Sequence, residues 1–133
     1  KSYSGQATIQ EKYNDSLADT NSMDFKKLKS RFEKELGLVY ENETGFVEAE
    51  VTSFRNGSII VDFEVTFNST AMVNSTYLKK LLVNAITNGT LGDFKVDRQS
   101  VKVCTFLRVN ISMYAVVNPE FCKGGSNPHT VYR

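Results

Sequence analysis

Apolar and polar residues alternate at the start of the chain. Tyr3, Gly5, Ala7 and Ile9 occupy odd positions, and Ser4, Gln6, Thr8 and Gln10 lie between them. A period of two predicts a strand. From Asn21 the apolar positions become Phe25, Leu28, Phe32 and Leu36, the stripe of an amphipathic helix. Ser22 is placed to cap it, Asp24 lies in its first turn and Gly37 stands near its end. Val47, Ala49 and Val51 then alternate with Glu48, Glu50 and Thr52, and Ile59, Val61, Phe63, Val65 and Phe67 with Asp62, Glu64 and Thr66. These are two strands with one apolar face each, joined by Arg55-Asn56-Gly57-Ser58. Asn-Gly between alternating runs is a strong hairpin signal. A second helical stripe follows, Leu78, Leu81, Leu82, Ala85 and Ile86, with Asn74 as its cap and Gly89 as its stop. Val101 and Val103 mark a last strand, preceded by a weaker apolar stretch at Phe94 and Val96.

The order β-α-β-β-α-β predicts an α+β fold. It is a ferredoxin-like sandwich, a four-stranded antiparallel sheet with both helices on one face. Periodicity fades after about Phe106, and Asn118-Pro119 and Cys122 to Pro128 read as loop and linker. The expected division is therefore a domain over 1–106 and a C-terminal tail or linker over 107–133.

Composition narrows the class. At 133 residues the chain is one domain's worth, with 41% hydrophobic and 23% charged residues, an ordinary globular balance. Sixteen Lys+Arg against fifteen Asp+Glu give a net charge of +1, no footprint for nucleic acid. Apolar runs such as Leu81-Leu82-Val83 are too short to cross a bilayer. With Lys1 as its first residue, the chain reads as a segment of something larger.

Asn-x-Ser/Thr triplets begin at Asn14, Asn42, Asn56, Asn68, Asn74, Asn88 and Asn110. The chain's Asn, Ser and Thr content would give roughly two by chance, and no middle position is Pro. Asn, Ser and Thr are also common turn residues, but the excess favours N-glycosylation acceptors on an extracellular or cell-surface domain. Cys104 and Cys122 are either two unrelated buried thiols or a disulfide that ties back the tail. A disulfide would contribute about 3 kcal/mol on the chain-entropy model. One histidine, His129, and two distant cysteines match no zinc spacing.

The usual catalytic constellations are missing. His129 lies in the expected linker, and there is no Gly-rich phosphate loop. The pair Glu48/Glu50 falls on a strand's polar face, while Glu41/Glu43 has no catalytic context. No cofactor is implied. An RNA-recognition module shares the element order, but the Ile59–Phe67 strand carries Asp62 and Glu64 where basic and aromatic residues would stack bases. Lys26, Lys27, Lys29, Arg31 and Lys34 surround the first helical stripe, but Glu33 and Glu35 interrupt them, and a solvated face explains them better than a heparin site.

The hairpin tip, Phe54-Arg55-Asn56-Gly57-Ser58-Ile59-Ile60-Val61, resembles the cleavage motif of SEA modules. These are extracellular domains of membrane-tethered mucins and adhesion receptors. Self-cleaving members carry Gly-Ser followed by β-branched residues, as Gly57-Ser58-Ile59-Ile60-Val61 does here, with Ile60 where Val is common. The element order matches from about Tyr3 to Thr105. The resemblance implies autoproteolysis of the Gly57–Ser58 bond with Ser58 as nucleophile and Gly57 as the scissile carbonyl, and no turnover of a separate substrate. It further implies a non-covalent pair of fragments, 1–57 and 58–133, in a membrane-tethered parent. An ordinary type I′ turn on Asn56-Gly57 would instead be unstrained and uncut. The chain would then be a glycosylated spacer or adhesion module binding an extracellular protein or glycan ligand.

Overall fold

The computed structural model describes residues 1–105. Its elements are β1 (Ser2–Ile9), a short 3-10 turn (Asp15–Ala18), α1 (Met23–Tyr40), β2 (Phe46–Asn56), β3 (Ile59–Phe67), α2 (Ser75–Ala85), β4 (Thr90–Leu91) and β5 (Phe94–Thr105). The antiparallel pairs build one sheet in the order β2-β3-β1-β5-β4. The predicted class holds, but a fifth strand is present. The two-residue β4 folds back on the start of β5, too short to show any periodicity.

Both caps form as expected. The Ser22 hydroxyl accepts from the Phe25 amide at 3.0 Å, and Asn74 Oδ1 accepts from the Tyr77 amide at 2.8 Å, each satisfying a donor that the first helical turn leaves open. α1 runs past Gly37 to Tyr40 because Tyr40 extends the apolar stripe by one more turn. α2 ends at Ala85, before Gly89; the Ile86 amide donates to the carbonyls of Leu82 and Val83.

The inner row of β3, Ile59, Val61, Phe63, Val65 and Phe67, is buried against the stripes of both helices in a single core. Phe32 meets Phe63 and Phe94 at ring-centroid distances of 6.4 and 5.3 Å. Tyr40 ties the helices together: its buried hydroxyl donates to the Leu78 carbonyl at 2.8 Å, and burial pushes the phenol well above its ordinary range.

Strict alternation fails in two strands, each time at a bulge. In β2 the register against β3 shifts between Phe46 and Glu48 and again between Val51 and Ser53. Val47 is consequently 57% exposed, and the buried phase moves from Val51 to Phe54. In β5 the bulge near Asp97–Ser100 is held by Ser100, whose hydroxyl accepts from the Thr8 amide and donates to the Asp97 carbonyl. It flips the inward phase from Phe94 and Val96 to Val101 and Val103, so the weak stretch and the last predicted strand are one strand.

β1 lies between β3 and β5 and is buried on both faces, including Ser4 at 6% and Gln6 at 8% exposure. Gly5 stands opposite Phe63 on one side and Val103 on the other. A Cβ on Gly5 would lie 2.3 Å from the Phe63 ring, so the ring occupies the space a side chain would need. Gly5→Ala is expected to destabilise the domain by about 1–3 kcal/mol through overpacking. The additional change Phe63→Leu should return part of that loss. Urea midpoints of the two variants and the double variant check both expectations.

Candidate functional site

The β2–β3 hairpin turns one residue later than the Asn-Gly signal predicts. Asn56 is the last ladder position and pairs with Ile59, so the two turn residues are Gly57 and Ser58, and the type I′ turn on Asn56-Gly57 is not formed. Their backbone is unusual: Gly57 has φ 136° and Ser58 φ 53°. Glycine reaches such angles without penalty, whereas an L-residue at positive φ brings its Cβ against the following carbonyl at a cost of roughly 1–2 kcal/mol. Among the described residues only Ser58 and Asn88 are non-glycine residues at positive φ, and asparagine tolerates that region better than serine. A Cβ at position 57 would approach Ile60 Cδ1 to 3.2 Å. The Gly57–Ser58 peptide bond therefore lies between two consecutive left-handed residues.

The tip is anchored from behind. Ile59 and Val61 are buried in the core, Ile60 is half-buried, and Phe54 packs edge-on against Phe25 at 5.3 Å. On the opposite face, Arg55 grips Asp62 with a two-pronged hydrogen bond, Nε to Oδ2 at 2.7 Å and Nη2 to Oδ1 at 2.8 Å. The same Arg55 reaches Gln6 Oε1 at 3.2 Å, and Ser53 donates to Asp62 at 2.7 Å. Three neighbouring strands are thus clamped a few residues from the turn. Sequence reading placed Arg55 in the motif but missed Asp62 and Gln6. Their pairing depends on the β2 bulge and on β1 lying beside β3, which no local pattern reveals.

Asn56, Gly57 and Ser58 are exposed. Asn56 and Ser58 line a shallow groove of about 400 Å³ whose other wall is Gln10, Glu11, Lys12 and Tyr13, the segment following β1. No acid or histidine hydrogen-bonds Ser58 among the described residues. The arrangement offers an exposed serine whose own backbone is held at positive φ, without a side-chain base among the described residues.

Six of the sequon asparagines, Asn14, Asn42, Asn56, Asn68, Asn74 and Asn88, are exposed; Asn110 lies outside the described residues. Cys104 is half-buried in β5 opposite Ser4, while Cys122, its expected partner, and the whole 107–133 tail also lie outside them. The basic face of α1 is partly neutralised. Lys29 pairs with Glu33 and Glu50, and Arg31 pairs with Glu11 while covering the Phe94 ring at 4.6 Å.

Comparison with known proteins gives a consistent result. The SEA domain family model matches residues 1–97. Interphotoreceptor matrix proteoglycan 2 of Mus musculus is 30% identical over 80% of this chain. Adhesion G-protein coupled receptor F1 of Homo sapiens is 36% identical over 50% of it, and Interphotoreceptor matrix proteoglycan 1 of Gallus gallus 38% over 48%. The chain spans only 10%, 7% and 7% of the lengths of these relatives.

Strain at position 58 can be read without any reaction. Ser58→Ala and Ser58→Gly both lack the hydroxyl, but only glycine accepts φ 53° freely. Ser58→Gly is expected to be the more stable of the two by about 1 kcal/mol, measured by urea unfolding. Equal stabilities would mean that the turn relaxes at no cost.

Proposed function

The chain belongs to the SEA domain family, and on that premise we propose that it is an extracellular module that cuts its own Gly57–Ser58 bond and persists as a non-covalent pair of fragments. The observation that carries this reading is the scissile bond itself, exposed and flanked by two residues at positive φ. Ser58 Oγ adds to the Gly57 carbonyl carbon, the bond from that carbon to the Ser58 nitrogen breaks, and the hydroxyl proton ends on the released amine. Water then attacks the ester, giving the Gly57 carboxylate and restoring the Ser58 hydroxyl. A serine hydroxyl without a base is a weak nucleophile. Here the substitute is backbone strain, which rises steeply with distortion of the peptide. The buried Ile59 and Val61 and the Arg55–Asp62 clamp keep the turn from relaxing, so the folded state lowers the barrier and an unfolded chain does not cut.

The strand order explains how the pieces would hold together. Fragment 1–57 contributes β1 and β2, and fragment 58–133 contributes β3, β4 and β5. In the order β2-β3-β1-β5-β4 the strands alternate between fragments, so three of the four ladders cross the cut. Tyr3 pairs with Thr105, which puts the start of β1 beside the end of β5. A pull on those two points loads the β1–β5 ladder as a zipper, one hydrogen bond at a time. Such a geometry suits a junction in a cell-surface glycoprotein that parts under force.

The test is the intact mass of the purified protein, deglycosylated and denatured without reductant. Two species matching 1–57 and 58–133 are expected for the wild type, and one full-length species for Ser58→Ala with an unchanged circular dichroism spectrum. A single full-length species for the wild type would overturn the reading, and a glycosylated spacer or adhesion module would take its place.

A further inference from the structure

Asn56-Gly57-Ser58 is both the scissile tip and an N-glycosylation acceptor, and the two reactions need it in opposite states. Sugar transfer joins the Asn56 side-chain nitrogen to the anomeric carbon of a lipid-pyrophosphate-linked oligosaccharide; the amide gives up a proton and the pyrophosphate leaves. The acceptor is held as an extended segment with the Ser58 hydroxyl beside the amide. In the folded domain Asn56 is locked opposite Ile59, and Gly57 and Ser58 turn the chain back on itself. The tripeptide cannot extend without opening the ladder, so the glycan must be added before the hairpin closes. Self-cleavage requires the closed hairpin and destroys the acceptor, because Ser58 becomes an N-terminus.

We propose that glycosylation of Asn56 decides whether this bond is cut: chains that receive a glycan there stay joined, and chains that escape it are cleaved. The inference rests on the self-cleavage reading above. Its structural basis is the groove that Asn56 shares with Ser58, closed on the far side by Gln10, Glu11, Lys12 and Tyr13. Water must reach the Gly57 ester at Ser58, and the first sugars on Asn56 occupy the approach on that side. Among the other described sequon asparagines, Asn14, Asn42, Asn68, Asn74 and Asn88 are exposed but do not line this groove, so among these six sites the effect belongs to Asn56. Ser58→Ala cannot test it, since that change removes the nucleophile and the acceptor together.

The experiment expresses the wild type, Asn56→Gln, Asn56→Asp and the control Asn42→Gln in a secretory host that attaches N-glycans. Cut and uncut chains are separated after denaturation. Glycosidase treatment in heavy-oxygen water converts each occupied Asn to labelled Asp, which peptide masses locate. Label at position 56 is expected to be at least about tenfold rarer in fragment 1–57 than in uncut chain. Both Asn56 variants should be cut to completion, and Asn42→Gln should match the wild type. Label at 56 equally frequent in cut and uncut material, or an Asn56 that is never occupied, would overturn the inference while leaving self-cleavage intact. Folded Asn56 variants that stay uncut, in a wild type that is also uncut, would instead remove the self-cleavage reading and this inference with it.

Discussion

The position of β1 is the constraint on which the rest of the domain depends. It is the first segment of the chain, yet it lies inside the sheet, hydrogen-bonded to β3 on one edge and β5 on the other. An inner strand has no solvated edge and, here, no solvated face, so each of its residues is specified by neighbours far along the chain. Gly5 is the sharpest case, because the Phe63 ring fills the space above it. Without a side chain at position 5, the flat backbone leaves the Phe63 ring room to lie over it and bury its apolar area.

That arrangement also gives the hairpin its significance. β2 is an edge strand, and only its pairing with β3 holds it in the sheet. The register of this pair is fixed at one end by bulges at Val47 and Thr52, and near the tip by the Arg55–Asp62 clamp. Between Asn56 and the buried Ile59, which pair as the last rung of the ladder, there is room for only two turn residues. Tight closure with no spare residue drives Ser58 to positive φ, and the energy that keeps it there comes from the core beneath β3 rather than from the turn.

The polar side of the sheet carries its own logic. Ser4 and Gln6 are buried there, and the Gln6 side-chain oxygen accepts a hydrogen bond from Arg55. The charged fork of Arg55 reaches across three strands near the hairpin tip, joining Asp62 of β3 and Gln6 of β1 through charge-assisted hydrogen bonds.

Local pattern was enough for everything set by a short period. Both helix stripes with their caps at Ser22 and Asn74, the run from Ile59 to Phe67, and the element order were legible in the chain, because burial against one face imposes a repeat of 3.6 or 2 on consecutive residues. The Gly57-Ser58 tip was legible as a motif for the same reason: it is contiguous. The tertiary structure alone decided what depends on partners distant in sequence. It merged Phe94 to Thr105 into one strand, moved the inward phase of β2 from Val51 to Phe54, and joined Asp62 and Gln6 to Arg55. It also placed the turn on Gly57-Ser58 instead of Asn56-Gly57. A bulge resets the alternation by an amount that only the opposite strand defines, and a turn's backbone angles follow from the register of the two strands it joins.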